Sequence, residues 1–143
     1  MLATFAATGA FLAAGDRLVA GQGLTSARWQ VLGAVALADR PLTVAQIARR
    51  MGLARQSVHA SVRRLVDDET LAFSANADHR RSPLVHLTAA GESVYAEVDA
   101  LQARWADGLA EGIAPADLDA AARVLTQLCG RLDAAGPHEE EIP

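Results

Sequence analysis

The sequence predicts a mainly α-helical fold carrying one small β-hairpin, and three observations predict it. Apolar residues recur at helical spacing over most of the 143 residues. Two short helical segments meet at a glycine turn near the middle, at Gly52. The period then switches to alternation over residues 70–75 and 83–88 before helical spacing returns. With 51% apolar residues the chain can bury a core as a single domain, 1–143.

The first segment repeats Leu2, Phe5, Leu12 and Val19, with Phe11 and Leu18 on a neighbouring stripe and alanine almost everywhere else. A helix apolar nearly all round is expected to be buried, often between subunits. It lacks a basic leading stretch, and Asp16 and Arg17 interrupt it too early to span a bilayer. The expectation is a cytoplasmic protein with no membrane partner. "GQG" at 21–23 ends this helix, and Thr25 is placed to cap the next, which carries Trp29, Leu32, Val35 and Ala36.

"TVAQ" at 43–46 matches a capping box, in which Thr43 bonds the amide of residue 46 and Gln46 reaches back. A short helix follows and stops at Gly52. The next begins within three or four residues. An apolar seam of Ile47, Met51, Leu53, Val58 and Val62 joins them as a helix-turn-helix. The two alternating runs then form a hairpin, with Leu71 and Phe73 on one side of the first strand and Val85 and Leu87 on one side of the second. A helix-turn-helix followed directly by such a hairpin is a winged helix.

Thr88 can cap the long helix that follows, on which Val94, Val98, Leu101, Trp105 and Leu109 recur. Pro115 suits the first turn of a last helix with a narrow seam of Leu118, Ala121, Leu125, Leu128 and Leu132. The expected organisation is a winged helix-turn-helix at 24–91, flanked by helical dimerisation segments at 1–22 and 92–135, with a flexible tail at 136–143. The terminal helices carry more apolar surface than one winged domain can cover, so pairing with a second copy is expected.

Charge is segregated along the chain. The net charge is −4, yet residues 40–86 hold eight arginines against four acids, and residues 87–143 hold three against eleven. A basic centre between neutral and acidic parts fits a face that meets a polyanion, double-stranded DNA being the expected one. A solvated surface is the plainer alternative. One cysteine, Cys129, excludes an intramolecular disulfide, and its neighbours place it as a core thiol. Four scattered histidines offer no metal-ligand spacing. No nucleophile elbow or phosphate-binding glycine loop is present, so no enzyme, catalytic residue, metal or cofactor is expected.

The stretches "LTSARWQVLGAV", "PLTVAQIARRMGL", "RQSVHASVRRLVDD" and "NADHRRSPLVHLTAAG" resemble consecutive parts of the MarR (multiple antibiotic resistance regulator) family over residues 24–91. The most specific part is Arg80 and Arg81 followed by Leu87, Thr88 and Gly91. The resemblance implies a homodimeric transcriptional regulator, usually a repressor, on an inverted-repeat operator. It also implies release of the DNA by a small aromatic ligand or an oxidant. Three positions depart from the family pattern. Thr70 stands where Gly is usual, His79 where Asp braces the wing with an arginine, and Ala54 where a capping Ser is common. Asp78 with Arg80 or Arg81 is the expected substitute brace.

An α-helix fits the major groove, and its N-terminal half makes the base contacts. Arg55, Gln56, His59 and Ala60 are the candidates, with Arg suited to guanine, Gln to adenine, and Ala60 or Val58 to a thymine methyl. Ser57, Arg63, Arg80 and Arg81 are candidates for the backbone or the minor groove. In the family a ligand pocket lies between the helical region and the winged part. Phe5, Phe11, Arg28, Trp29 and Trp105 are its candidates here, Arg28 as a carboxylate partner. Plain core packing is the other reading of each aromatic. A winged-helix module that meets a protein without sequence-specific DNA binding is the alternative function.

Overall fold

The computed structural model describes residues 2–135, and the expected tail at 136–143 lies outside them. In chain order the elements are α1 (Leu2–Val19), a 3-10 turn (Ala20–Gln22), α2 (Ser26–Ala36), β1 (Leu42–Thr43), α3 (Val44–Met51), α4 (Arg55–Asp67), β2 (Leu71–Ser74), β3 (Leu84–Leu87), α5 (Ala89–Ala110) and α6 (Pro115–Ala135). The expected winged helix is present. The chain divides into two compact units after Ala103.

Local chemistry sets the boundaries of α2–α4. Thr25 caps α2 by accepting from the Arg28 amide, and Thr43 and Gln46 complete the capping box of α3. Gly52 ends α3 in the left-handed conformation at φ 63°, which a residue without Cβ adopts freely. Ala54 precedes α4 without any side-chain cap, as its residue type implies.

The core of the first unit lies where α2, α3 and α4 meet the sheet. Leu32, Ile47, Val62, Leu65 and Val85 are completely buried, and Val31, Val58 and Leu71 nearly so. Burying a side chain of this size contributes about 1.5–3 kcal/mol. Val58 thus belongs to the core and offers nothing to a thymine methyl. Leu53, expected in the seam between the two short helices, is exposed.

The sheet has three strands in the order β1-β3-β2, all antiparallel. Leu71 pairs with Leu87 and Phe73 with Val85, and the two alternating runs form the expected hairpin. β1 was not expected. It pairs Leu42 with Val85 through only two residues, too few for a period to show.

The junction between α4 and the wing explains the Leu-Thr-x-x-Gly stretch. The left-handed residue is Glu69 (φ 58°), one position before Thr70, which stands where the family usually has glycine. The Thr70 amide donates to the Leu65 carbonyl and the Glu69 amide to Val66, which completes a Schellman end. The Thr70 hydroxyl adds a second bond to Leu65 at 2.8 Å. From the other side the Thr88 hydroxyl donates to the Glu69 carbonyl at 2.6 Å and accepts from the Gly91 amide at 3.0 Å.

Gly91 is buried, and a Cβ there would overlap the Thr70 carbonyl oxygen. Gly91→Ala gains up to about 1 kcal/mol of helix propensity. It must also move backbone, so overpacking at about 1–3 kcal/mol prevails. The variant is expected to melt about 3–10 °C below the parent in a thermal scan.

Within one chain the terminal helices are less buried than expected. α1 buries only Gly15 and Val19, while Leu2, Phe5, Phe11 and Leu12 are exposed. The run Leu2–Gln22 is long and apolar enough to cross a membrane by length and composition alone, a test that core helices also pass. Its interrupting Asp16 is engaged: the carboxylate accepts from the Ser26 amide at 2.6 Å, and the Ser26 hydroxyl donates to Leu12. Cys129 on α6 is exposed, not a core thiol, because no position of this helix is buried within one chain among the described residues. Leu118, Leu125, Leu128 and Leu132 along it are exposed too.

Candidate nucleic-acid interface

The candidate site is built on the polar face of α4. Val58, Val62 and Leu65 hold the opposite face in the core. The helical repeat therefore turns Arg55, His59 and Arg63, spaced four apart, outward along one line. All three line a cleft of about 290 Å³, whose other walls are the first turn of α3 and the wing. Thr43, Val44 and Ala45 form the α3 wall; Phe73, Arg81, Ser82 and Pro83 form the wing wall. Three guanidiniums and an imidazole meet there with no carboxylate among the lining residues. Such a cleft attracts anions, and its guanidiniums can bond phosphate or guanine in bidentate fashion.

Gln56, Ser57 and Ala60 are exposed on α4 but outside the cleft, and Arg80 is exposed on the wing beside it. The cleft's α3 wall was not anticipated. The capping box marked where α3 begins, but nothing local says that this beginning faces the next helix.

The wing tip is braced differently from expectation. No ion pair joins Asp78 to Arg80 or Arg81 among the described residues. Asn76 holds the loop instead, donating to the Ser82 carbonyl at 2.8 Å and accepting from the amides of Asp78 and His79. An asparagine that bonds backbone two and three residues on is an Asx turn, a signal visible in "NADH".

The C-terminal end of α4 is neutralised from another helix. Arg28 of α2 donates to Asp68 at 3.2 Å, and Arg64 lies 3.9 Å from the same carboxylate. These partners offset the unfavourable acid at a helix C-terminus. Arg28 is therefore engaged with Asp68, the first departure from its expected pocket role.

Trp29 lines a second cavity, of about 390 Å³, with Gly33, Leu37, Arg50, Met51 and Tyr95 among its walls. The Arg50 guanidinium donates to the Leu37 carbonyl at 3.1 Å. Burial first, then the neighbouring Asp99 carboxylate, raises the Tyr95 phenol above its usual range. Phe5, Phe11 and Arg28 do not line this cavity, and Trp105 lies in the second unit, half-buried. Arg50, Met51 and Tyr95 went unanticipated because their convergence depends on how α2, α3 and α5 pack.

Comparison with known proteins fits this geometry. Residues 22–82 match the profile of the MarR family. An uncharacterized protein of Mycobacterium tuberculosis is 36% identical over 133 residues, covering 93% of this chain and 92% of its own. A MarR/EmrR family transcriptional regulator from Acinetobacter sp. ADP1 superposes with a TM-score of 0.84 at 16% identity, over 93% of this chain and 94% of that one. CouR from Rhodococcus jostii RHA1, bound to p-coumaroyl-CoA, superposes with a TM-score of 0.77 at 19% identity, over 85% of each chain.

Proposed function

The chain belongs to the MarR family of winged-helix transcription regulators, and from that premise we propose that it binds an inverted-repeat operator as a homodimer and represses transcription there. One observation carries the reading. The cleft joins Arg55, His59 and Arg63 of the recognition helix α4 to Arg81 of the wing, with no carboxylate in its lining. Groove-reading and phosphate-binding groups thus share one face.

In this reading Arg55, Gln56, His59 and Ala60 meet base edges in the major groove. Ser57, Arg63, Arg80 and Arg81 meet the sugar–phosphate backbone or the minor groove. The acidic C-terminal end of α4, at Asp67 and Asp68, tilts away from phosphate. A second copy covers the exposed apolar side chains of α1 and α6, among them Phe5, Leu12, Leu125 and Leu128. The cavity walled by Trp29, Tyr95 and Arg50 suits an aromatic effector that shifts the population of DNA-competent dimers. The CouR complex with p-coumaroyl-CoA supports that class of ligand.

Selection from a random duplex library tests the proposal. The expected product is an inverted repeat whose half-sites lie about one helical turn, roughly 34 Å, apart. Recovery of no common sequence would favour the protein-interaction reading. Arg81→Ala is expected to weaken selected and shuffled duplexes alike. The slope of log affinity against log salt should flatten by about one unit per bound protomer, measured by fluorescence anisotropy.

A further inference from the structure

The wing is basic on both of its flanks. On the side of α4 lies the cleft already described. On the other side is a second concavity of about 440 Å³, lined by Arg40 from the α2–β1 connection, Arg49 from α3 and the His79 imidazole from the wing. Thr43 and Ser82 line both hollows, so the same ridge of structure separates them. The second hollow contains one acid, Asp78, against two arginines.

Arg49 and Arg50 are neighbours on α3 with different surroundings. Arg50 is spent on the Leu37 carbonyl. No hydrogen bond or ion pair engages Arg49 or Arg40 among the described residues, and both are exposed. Two unspent guanidiniums from separate elements thus line one hollow beside the wing, and an anion entering it meets both.

DNA supplies that anion in the right arrangement. A minor groove is about 6 Å wide and is bordered by one phosphate chain on each side. A wing that enters it from the recognition-helix side meets the near chain with its α4 flank. Its other flank then faces the far chain. We propose that Arg40 and Arg49 form a second phosphate-binding site, holding the far strand of the minor groove that the wing enters. The wing is thereby clamped from both sides, and the footprint extends outward beyond the recognition helix. Asn76 fixes the loop between the flanks through its bonds to Ser82, Asp78 and His79. This inference rests on the DNA-binding reading above.

The test compares Arg40→Gln, Arg49→Gln and the double variant with Arg123→Gln, which removes the same charge from α6 at a residue that lines neither hollow. The probes are the duplex that the wild-type protein selects and a shuffled duplex of equal composition. Each wing-flank variant should lose about fivefold affinity per protomer at 0.15 M salt and flatten the salt slope by about one unit per protomer, on both probes. The preference between probes should stay unchanged. Hydroxyl-radical footprinting should show lost protection at the outermost phosphates of each half-site, on one strand at each end, related by the twofold axis of the operator.

If the wild-type protein binds its selected duplex and the wing-flank variants behave as Arg123→Gln does, the second site is wrong and the family reading stands. If the wild-type protein binds neither probe, both fail together. Far-ultraviolet circular dichroism of each variant checks that the exposed substitutions leave the fold intact.

Discussion

Arg55→Ala is expected to lower the ratio of operator to shuffled-duplex affinity by about 5- to 150-fold. That range is the about 1–3 kcal/mol of discrimination that one bidentate arginine–guanine contact provides. Arg55 opens α4 and is exposed in the cleft, where its guanidinium can enter the major groove ahead of the rest of the helix. Stability should move by less than about 0.5 kcal/mol, because the side chain has no packing role and a cation is poorly placed at a helix N-terminus. Anisotropy on both duplexes, with a thermal melt alongside, separates the effects. A uniform loss on both duplexes would move Arg55 from base reading to phosphate contact.

Leu65→Ala is expected to be the most damaging single change to the fold. Leu65 is completely buried on α4 and its carbonyl takes both the amide and the hydroxyl of Thr70. Removing three carbons there leaves a cavity under the recognition helix at a cost of about 2–5 kcal/mol. Domains of this size have about 5–15 kcal/mol in total, so the melting temperature should fall by about 5–20 °C. DNA affinity should fall at temperatures where the parent still binds, and recover on cooling. A melt within 2 °C or so of the parent would mean that the site collapses around the smaller side chain.

What the sequence revealed follows the range of the interactions involved. The capping box at Thr43 and Gln46 was legible because both partners lie within four residues. The two wing strands were legible because Leu71, Phe73, Val85 and Leu87 alternate with other residues, whereas their register came from the fold. β1 escaped because two residues carry no period, and the pairing of Leu42 with Val85 is a contact between residues far apart in sequence. Which residue turns left-handed at the end of α4 was not legible, although the departure at Thr70 was. A helix end is set by which carbonyls find donors, and here the Thr70 hydroxyl fixes that choice at Leu65.

Of the candidate site, the outward line of Arg55, His59 and Arg63 follows from helical spacing alone. Its convergence with Arg81 and the α3 turn needs the fold. Arg28 was read as a ligand partner because its ion pair with Asp68 spans forty residues and leaves no local signal. The exposure of Phe5, Phe11 and Cys129 was misjudged for a different reason. A stripe of apolar residues announces that something covers it, but does not say whether that something is the same chain.

The most direct measurement is fluorescence anisotropy of the wild-type protein on DNA from directly upstream of its own gene, against a shuffled duplex, at 0.15 M salt and two higher concentrations. A sequence-specific regulator that acts on its own promoter should prefer the upstream duplex by about a thousandfold or more. Its salt slope should reflect several phosphate contacts per protomer. Equal, weak binding to both duplexes at every salt concentration, with no enrichment from a random library, would contradict the account and leave the basic face to a protein partner.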